Sequence, residues 1–411
     1  MNRTPGGPAT ALMGPFISAD LPGIGGVIKQ EAGDFLVEEI PLYLPQGEGE
    51  HLYLWVEKRG MSTPVALRVI SRHFRVSEHN IGHAGLKDKD AITRQWISVH
   101  IPGSDEVRRR AQEHLGRFEN RAVTVLDHAW HRNKLKRGHL KGNRFRIRVH
   151  DIDPTDAPSR ALAVANRLKE RGVPNYFGLQ RFGGGLDSHE TGRLLMLGRL
   201  EEAFIRMWPG IEAGPAGRDP RLDKRAELFA NRRWKLLLSN LPSATVRILL
   251  SAYQSWLFNR FLAAHLPVLD RVSLGQVVMK HDNGALFVVD DELEVSDRCR
   301  RQLVSPTGPL YGPKMMWSDG EAGVWERELY RSQDLPLELI GRPLPGYRLD
   351  GDRRALRFLP GEISATLLPQ ERAMDIAFDL PSGCYATVLL REFTKNDDAG
   401  FLPDSGAEEQ D

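Results

Sequence analysis

"HAGLKDKDAITRQWISV", residues 83–99, joins a glycine-containing turn and a short charged run to an apolar segment. A glycine just before a charged side chain lets the backbone turn sharply, and a strand at residues 94–99 would fix the end of that turn. Two interpretations of Asp88 are open, a solvated charge of a surface turn or a carboxylate held for chemistry. Because Lys87 and Lys89 favour the charged form, we expect an ionised carboxylate that could act as nucleophile or base.

The segments around this stretch predict a sheet with at least one helix. Residues 51–60 alternate with a period of two, which is typical of a strand. Residues 62–74 predict a helix, because Thr63 can cap it and Pro64 suits its first turn. Further strands are predicted on both sides, at residues 26–40 (two runs around an Ala-Gly-Asp turn), 94–101, 121–128 and 143–151.

The pattern changes along the chain in a way that predicts an interrupted domain. Helical periodicity dominates from Asp187 to about His265, a Pro- and Gly-punctuated region follows, and strand-like segments return at 374–380 and 385–393. We therefore predict an α+β fold in which a strand-rich domain is interrupted by a largely helical insertion. The expected divisions are a flexible N-terminus (1–24), the two parts of the strand-rich domain (25–173 and 346–395), the insertion (174–345) and a disordered acidic tail (396–411).

The composition narrows the class of protein. The 411 residues are 41% hydrophobic and 27% charged, with neither a run of about 18 apolar residues nor a signal-peptide pattern, so no membrane association is expected. The two cysteines suit a reducing cytosol, and we expect a cytoplasmic protein. Asp127, His128 and His131 show no recognised ligand spacing, and the chain has no phosphate loop or dinucleotide fingerprint. No metal or cofactor is expected.

The net charge of +2 hides a dense basic run, which has eight Lys or Arg in the seventeen residues from Arg132 to Arg148. Either a solvated face or a set of phosphate contacts could explain it. In an alternating strand Asn143 and Phe145 point to one face, while Arg144, Arg146 and Arg148 point to the other. One face could line a pocket while the opposite face is cationic, although Phe145 could equally be a core residue.

The stretch at 83–96 resembles the central motif of the TruD family of tRNA pseudouridine synthases, in which an Ala-Gly pair is followed by Lys-Asp and then by a threonine. Further segments agree in the order that this family shows. They are "IKQEAGDFLVEEI" (28–40), "EGEHLYLWVEKRG" (48–60), "HRNKLKRGHLKGNRF" (131–145), "VPNYFGLQRFG" (173–183) and "PSGCYATVLLREF" (381–393). The resemblance implies the pseudouridine-synthase α+β catalytic domain with a mixed antiparallel sheet, a family-specific TRUD insertion, and tRNA as partner.

The resemblance also implies roles for individual residues. Asp88 matches the catalytic aspartate, and Lys29 matches a lysine near it. Phe35, Asn143, Phe145 and Tyr385 match substrate-contacting positions, and Tyr385 departs from the phenylalanine that members commonly carry there. The cations expected to contact RNA phosphates are Arg132, Lys134, Lys136, Arg137 and Lys141.

The reaction implied is the isomerisation of uridine to pseudouridine, usually at position 13 of tRNA, with no cofactor. Whether Asp88 acts as nucleophile or as base is open. Two rival interpretations remain. One is an RNA-binding protein that has kept the fold without turnover, and the other is a metal-dependent nuclease that uses Asp88 and Asp90.

Overall fold

The structure is a computed structural model and describes residues 8–215, 217, 219–336, 344 and 346–396. It contains two compact units. Of the described residues, 20–170 and 359–396 form the sheet unit, and those within 8–19 and 171–358 form the helical unit. Within the two predicted terminal segments, residues 1–7 and 397–411 lie outside the described residues, whereas Met13 and Ile17 are buried.

Nine strands of the sheet unit form one sheet in the part of the chain that the structure describes. Its main order is β14-β15-β7-β2-β5-β3-β6, with β1 beside β7 and β4 beside β5. β2 and β5 are parallel, and the other pairs are antiparallel, so the predicted mixed sheet is confirmed. The strands are β1 (Gly25–Val27), β2 (Phe35–Pro41), β3 (His51–Arg59), β4 (Ile81–His83), β5 (Ile92–His100), β6 (Val123–His131), β7 (Leu140–Ile152), β8 (Val173–Pro174), β9 (Val277–Lys280), β10 (Leu286–Val288), β11 (Val304–Leu310), β12 (Asp352–Ala355), β13 (Arg357–Phe358), β14 (Ser364–Leu368) and β15 (Ala373–Pro381).

One helix lies where a strand was expected. The strand-like segment predicted at residues 385–393 is wrong, because residues 386–394 form a helix, and a short apolar run does not distinguish a strand from a buried helix. The other helices lie mainly where helical periodicity predicts them. Five of those described lie between residues 188 and 265, within the helical unit, whose strands make a four-stranded and a two-stranded sheet. No helix of the described residues is long and apolar enough to cross a membrane. The helices are α1 (Pro8–Met13), α2 (Thr63–Phe74), α3 (Asp105–Leu115), α4 (Ala157–Arg171), α5 (Ser188–Met196), α6 (Leu200–Met207), α7 (Pro220–Ala230), α8 (Trp234–Ser239), α9 (Ser243–His265), α10 (Glu292–Arg300), α11 (Gly320–Arg331) and α12 (Ala386–Thr394).

Helix α2 was predicted, but the capping role of Thr63 was wrong. Ser62 is the N-cap, and Thr63 is the first helical residue. The Thr63 side chain is completely buried, and its hydroxyl accepts a hydrogen bond from the backbone N–H of Lys87 at 2.9 Å. A hydroxyl that has a tertiary partner is not available for the orphan N–H groups of its own helix. Thr63 therefore ties helix α2 to the loop that carries Asp88.

Strand β7 presents two chemically different faces, as its alternation predicts. Phe145 and Ile147 are buried on one face, whereas Arg144 and Arg148 lie on the other. The expectation of a simply cationic face is wrong, because strand β15 places acids opposite these arginines. Arg144 Nε lies 2.9 Å from Asp379 Oδ1, and Arg148 Nε lies 2.8 Å from Asp375 Oδ1.

Candidate active site

Asp88 lies in the loop between β4 and β5, and this loop is fixed from beneath by buried polar groups of the sheet unit. The backbone N–H of Lys87 donates to Thr63, and the Gln95 side-chain amide donates to the Gly85 carbonyl at 3.1 Å. The Thr63 hydroxyl also contacts Gln95 Oε1 at 3.2 Å. These buried hydrogen bonds, made to the loop at Gly85 and Lys87, hold the backbone just before Asp88 in one position.

Lys87 points into the protein and away from the Asp88 carboxylate. Its Nζ lies 3.0 Å from Glu39 Oε2, with side-chain exposures of 4% for Lys87 and 0% for Glu39. Burial raises the pKa of Glu39, although the Lys87 ammonium and the Trp96 backbone N–H oppose the shift. Lys87 was expected to keep the Asp88 carboxylate ionised. This expectation is wrong, because the Lys87 ammonium is paired with Glu39.

Lys29 supplies the cation at the Asp88 carboxylate. Its Nζ lies 3.2 Å from Asp88 Oδ2, and the backbone N–H of Asp90 donates to Asp88 Oδ1 at 3.1 Å. Burial alone would raise the pKa of Asp88, but Lys29, the Asp90 N–H and Lys58 hold that pKa below its usual range. Asp88 is therefore ionised at neutral pH, and its side chain is 39% exposed.

The backbone of Lys29 adopts an unusual conformation, with φ at 60°. This left-handed region is uncommon for residues other than glycine and is enriched at functional sites. The Lys29 Nζ also lies 5.3 Å from the centre of the Phe35 ring. The conformation thus brings one ammonium to a carboxylate and to an aromatic ring at the same time.

Lys58 is a second cation at this loop, and sequence reasoning missed it. It is 1% exposed, and its Nζ donates to the backbone carbonyls of Met61 and Asp88, each at 2.6 Å. Burial lowers the pKa of Lys58 to about 8, with the nearby Asp88 opposing that shift. The sequence does hold a signal, because Lys58 continues the buried alternation of Leu54 and Val56 along β3. A lysine on a buried face needs partners.

The predicted aromatic residues Phe35 and Phe145 are brought together, but both are buried. Their exposures are 5% and 8%, and their ring centres lie 6.2 Å apart at an edge-to-face angle of 80°. Phe145 also stacks on Phe378 at 5.4 Å. Phe145 is therefore a core residue, which is one of the two interpretations that the sequence left open. Phe35 packs edge-to-face against it and lies next to Lys29.

Asn143 lies near the start of β7, two residues before Phe145, and Tyr385 follows the end of β15. Asn143 pairs with Glu39 across β2 and β7, and its Oδ1 atom is buried without a hydrogen-bond partner among the described residues. Tyr385 is the N-cap residue of α12 and is half-buried. The hydrogen bond from Ser382 N to Lys141 O, at 3.3 Å, holds the start of this helix beside β7. All six predicted site residues belong to the sheet unit.

Four of the five predicted phosphate contacts occupy the loop between β6 and β7, which packs against the Asp88 loop, whereas Lys141 lies at the start of β7. The Gly138 N–H donates to the Ala84 carbonyl at 2.8 Å, and a Cβ on Gly82 would lie only 2.2 Å from the Leu135 carbonyl oxygen. Arg132 pairs with Glu48, and Lys134 donates to the His79 carbonyl. Lys136, Arg137 and Lys141 take part in no salt bridge of the described residues, and all three are exposed.

Asp127, His128 and His131 do not form a metal-binding cluster. Within the described ranges, no group of three or more His, Cys, Asp or Glu side chains could hold a metal ion.

Comparison with known proteins identifies the family. The model of the family described as tRNA pseudouridine synthase D (TruD) matches residues 14–245 and 221–393. A tRNA pseudouridine synthase D of Geobacter metallireducens is 39% identical over 92% of this chain and 97% of its own length. One of Geotalea daltonii is 38% identical over 93% of this chain and all of its own. A crystal structure titled as a putative TruD of Methanosarcina mazei shares the fold with a TM-score of 0.74, at 24% identity, over 94% of this chain and 97% of its own. The chain therefore belongs to the tRNA pseudouridine synthase D family, whose known activity is the isomerisation of uridine to pseudouridine in tRNA.

Proposed function

We propose that this protein isomerises the uridine at position 13 of tRNA to pseudouridine, with Asp88 as the catalytic carboxylate. The observation that carries the proposal is the ion pair of Asp88 with Lys29, held above a loop whose backbone is fixed by Lys58, Thr63 and Gln95. A cytoplasmic location is part of the proposal. The low number of cysteines, Cys299 and Cys384 alone, fits that compartment.

The reaction breaks the N1–C1′ bond of the uridine and forms a C5–C1′ bond after the uracil has turned. The proton on C5 leaves to solvent, and N1 gains a proton, so the sum formula is unchanged. An ionised Asp88 could attack C1′ as a nucleophile or remove a proton from the ribose as a base. Both routes need the carboxylate in its charged form, which the Lys29 ammonium favours.

The remaining site residues would bind the uracil. The buried Asn143 Oδ1 lacks a partner among the described residues and could accept the N3–H of the base, and the Asn143 side-chain NH2 could instead orient Asp88 by donating to its carboxylate. Phe35 and Phe145 would form the floor of the pocket, and Tyr385 would supply a half-buried ring with a hydroxyl. The target nucleotide must leave its stack to reach them, and aromatic contacts offset part of that cost.

The roles of the two domains are also a proposal. Residues 25–173 and 346–395 would form the catalytic domain, and the insertion at 174–345 would help to capture RNA. The exposed Lys136, Arg137 and Lys141 support a grip on phosphates by the catalytic domain itself, because no ion pair among the described residues occupies them.

Replacing Lys29 should shift the pH dependence of the reaction. In Lys29→Met, the largest attraction that lowers the pKa of Asp88 is lost while its burial remains, so the pKa of Asp88 rises. If the ionised form is required, the acid limb of the profile of kcat against pH moves to higher pH. Single-turnover rates on tRNA across pH 4.5 to 8 measure this shift. Lys89→Met, a substitution at an exposed neighbouring lysine, is the control. An unmoved acid limb would contradict the role of Lys29.

Binding of tRNA should weaken steeply with salt. If all five predicted cations contact phosphates, the logarithm of the association constant falls against the logarithm of salt concentration with a slope of about −4. Arg137→Glu should make that slope less steep by about 1. Arg117→Glu, the same charge change at an exposed site after α3, should leave the slope unchanged. Affinities that stay flat between low and moderate salt would remove the basic loop from the interface.

A further inference from the structure

A second cleft of about 670 Å³ lies in the sheet unit, outside the site around Asp88. It opens between the loop that joins β2 to β3 and the loop that joins β6 to β7, and its volume falls in the range of pockets that hold small ligands. None of its lining residues is among the six assigned to the uridine.

The charged part of the lining favours an anion. Three cations, Arg132, Lys134 and Lys136, face one cleft, and no carboxylate is among the residues that line it. Arg132 is paired with Glu48 nearby, whereas Lys136 is exposed and takes part in no salt bridge of the described residues. Lysine and arginine at this density are suited to a phosphate group.

The uncharged part of the lining favours a base or a ribose. Tyr43 stacks on His131 with ring centres 5.2 Å apart and planes 22° apart, and its hydroxyl lies 2.6 Å from His139 Nδ1. Leu44 beside it is 68% exposed, so its apolar side chain is accessible to a ligand in the cleft. Rings and an exposed leucine next to cations resemble the stacking and phosphate contacts by which proteins hold single-stranded nucleotides.

Two unsatisfied imidazole nitrogens add hydrogen-bonding capacity. The Nδ1 atoms of His51 and His131 are buried and have no hydrogen-bond partner in the described chain, and His131 is only 4% exposed. Burial lowers the pKa of His51 to about 4 and also lowers the pKa of His131, so both rings are neutral at pH 7. A neutral imidazole offers one donor and one acceptor, which suits the edge of a base.

The cleft is next to the Asp88 site. The last pair of β2 and β7, Pro41 with Leu140, lies two residues beyond Glu39, which is roughly 7 Å along the strand. The cleft begins past this pair, and its loop donates the Gly138 N–H to Ala84, close to Asp88 in the chain. A polynucleotide whose uridine is at Asp88 could therefore place a neighbouring nucleotide in the cleft.

We propose that this cleft binds a second nucleotide of the tRNA, with its phosphate on the three cations and its base against Leu44 and Tyr43. The inference rests on the proposed function, since it assumes that RNA is the substrate. The same chemistry would suit a free nucleoside monophosphate, so the test must separate a nucleotide within the chain from a free one.

The kinetic test uses Leu44→Asp and the matched control Leu42→Asp. Leu42 is 59% exposed and is not among the residues that line the cleft, so both variants are expected to fold. For Leu44→Asp, we expect the KM for tRNA to rise about 10-fold with kcat within twofold of the wild type, because chemistry at Asp88 is untouched. Leu42→Asp should change neither parameter more than twofold. Equal effects of the two substitutions would overturn the proposal.

A binding test identifies the ligand directly. The imidazole C–H signals of His131 and His139, assigned by His131→Phe and His139→Phe, are followed in NMR spectra during titration with inorganic phosphate, uridine 5′-monophosphate and unmodified tRNA. Shifts with tRNA alone support a nucleotide bound within the chain, and shifts with the monophosphate as well support a site that also admits free nucleotides. Equal affinity for phosphate and the monophosphate would reduce the cleft to an anion site and overturn the proposal.

The failure of this inference is distinguishable from failure of the proposed function. If tRNA leaves both histidine signals unmoved while the wild type still converts uridine, the cleft is not a nucleotide site and the proposed function stands. If the wild type converts no uridine in any tRNA, the proposed function fails, and the inference that depends on it is overturned with it.

Discussion

The Asp88→Asn variant is expected to lose pseudouridine formation by about 10³-fold or more while it binds tRNA as the wild type does. The amide has the size of the carboxylate and can still accept the Asp90 N–H, so the loop should keep its conformation. What it loses is the negative charge, on which both nucleophilic attack and proton removal depend. Lys29 loses its ion pair but is partly exposed, so water can solvate it. Single-turnover rates and tRNA affinities measure the two effects separately.

Asp90→Asn is the matched control for this experiment. It makes the same chemical change two residues away and keeps the backbone N–H that Asp88 accepts. We expect its rate to stay within a few-fold of the wild-type rate. A nuclease with a metal bound by Asp88 and Asp90 would instead be damaged by both substitutions and would cleave RNA when magnesium is added. That outcome would contradict the assignment of Asp88 as an isomerase carboxylate.

The second large effect is expected on stability, from Lys87→Met. This substitution leaves the Glu39 carboxylate completely buried, with the Trp96 N–H as its one remaining hydrogen-bond partner among the described residues. Removing one member of a buried ion pair costs about 3–5 kcal/mol of unfolding free energy. Because Lys87 adjoins Asp88 in the same loop, activity should fall as well. Urea unfolding monitored by tryptophan fluorescence measures the loss.

The loss should depend on pH in a defined direction. Burial already raises the pKa of Glu39 above 4.5, and removal of Lys87 takes away the largest opposing attraction. A carboxyl group whose folded pKa is raised binds more protons folded than unfolded, so its contribution to stability falls as pH rises through that range. The deficit of Lys87→Met relative to the wild type should therefore be larger at pH 7 than at pH 5.

The double variant Lys87→Met/Glu39→Leu tests whether the loss of stability comes from leaving Glu39 buried without its cation. Apolar replacements of both members often recover most of the stability, so we expect a value within about 1–2 kcal/mol of the wild type. Lys89→Met, at an exposed neighbouring lysine, should change stability by no more than about 0.5 kcal/mol. If Lys87→Met matched Lys89→Met, the buried pair would not stabilise the loop.

Local pattern predicted most of the strands and helices that frame the site, but it gave a strand at residues 385–393, where the structure has helix α12. Period-two alternation identified β3 and β7, and the Pro64 signal located helix α2 to within one residue. The contact of Lys29 with Asp88 joins positions 59 residues apart, and no local pattern contains it. It came from the resemblance of ordered motifs to one family, which is information on evolution rather than on local physics.

The wrong predictions of side-chain contacts share one cause, namely that a side chain's partner was assumed to lie nearby in the chain. Lys87 was expected to act on its neighbour Asp88, but successive residues of an extended loop point in different directions, and it reaches Glu39 instead. Thr63 was expected to cap its own helix and instead binds the Lys87 N–H. Arg144 meets Asp379, which is 235 residues away. Tertiary pairing decides such contacts, and single-sequence reasoning does not see it.

Tritium release from tRNA transcripts labelled at C5 of uridine tests most directly whether Asp88 catalyses the isomerisation of uridine 13. We expect the wild-type protein to release tritium from unmodified tRNA and to give only background release when uridine 13 is replaced by cytidine. Asp88→Ala should release none, and tRNA binding should be kept throughout. Binding without release by the wild type, across several tRNAs, would show an RNA-binding protein without turnover. Equal release by the wild type and Asp88→Ala would contradict the assignment of the catalytic carboxylate.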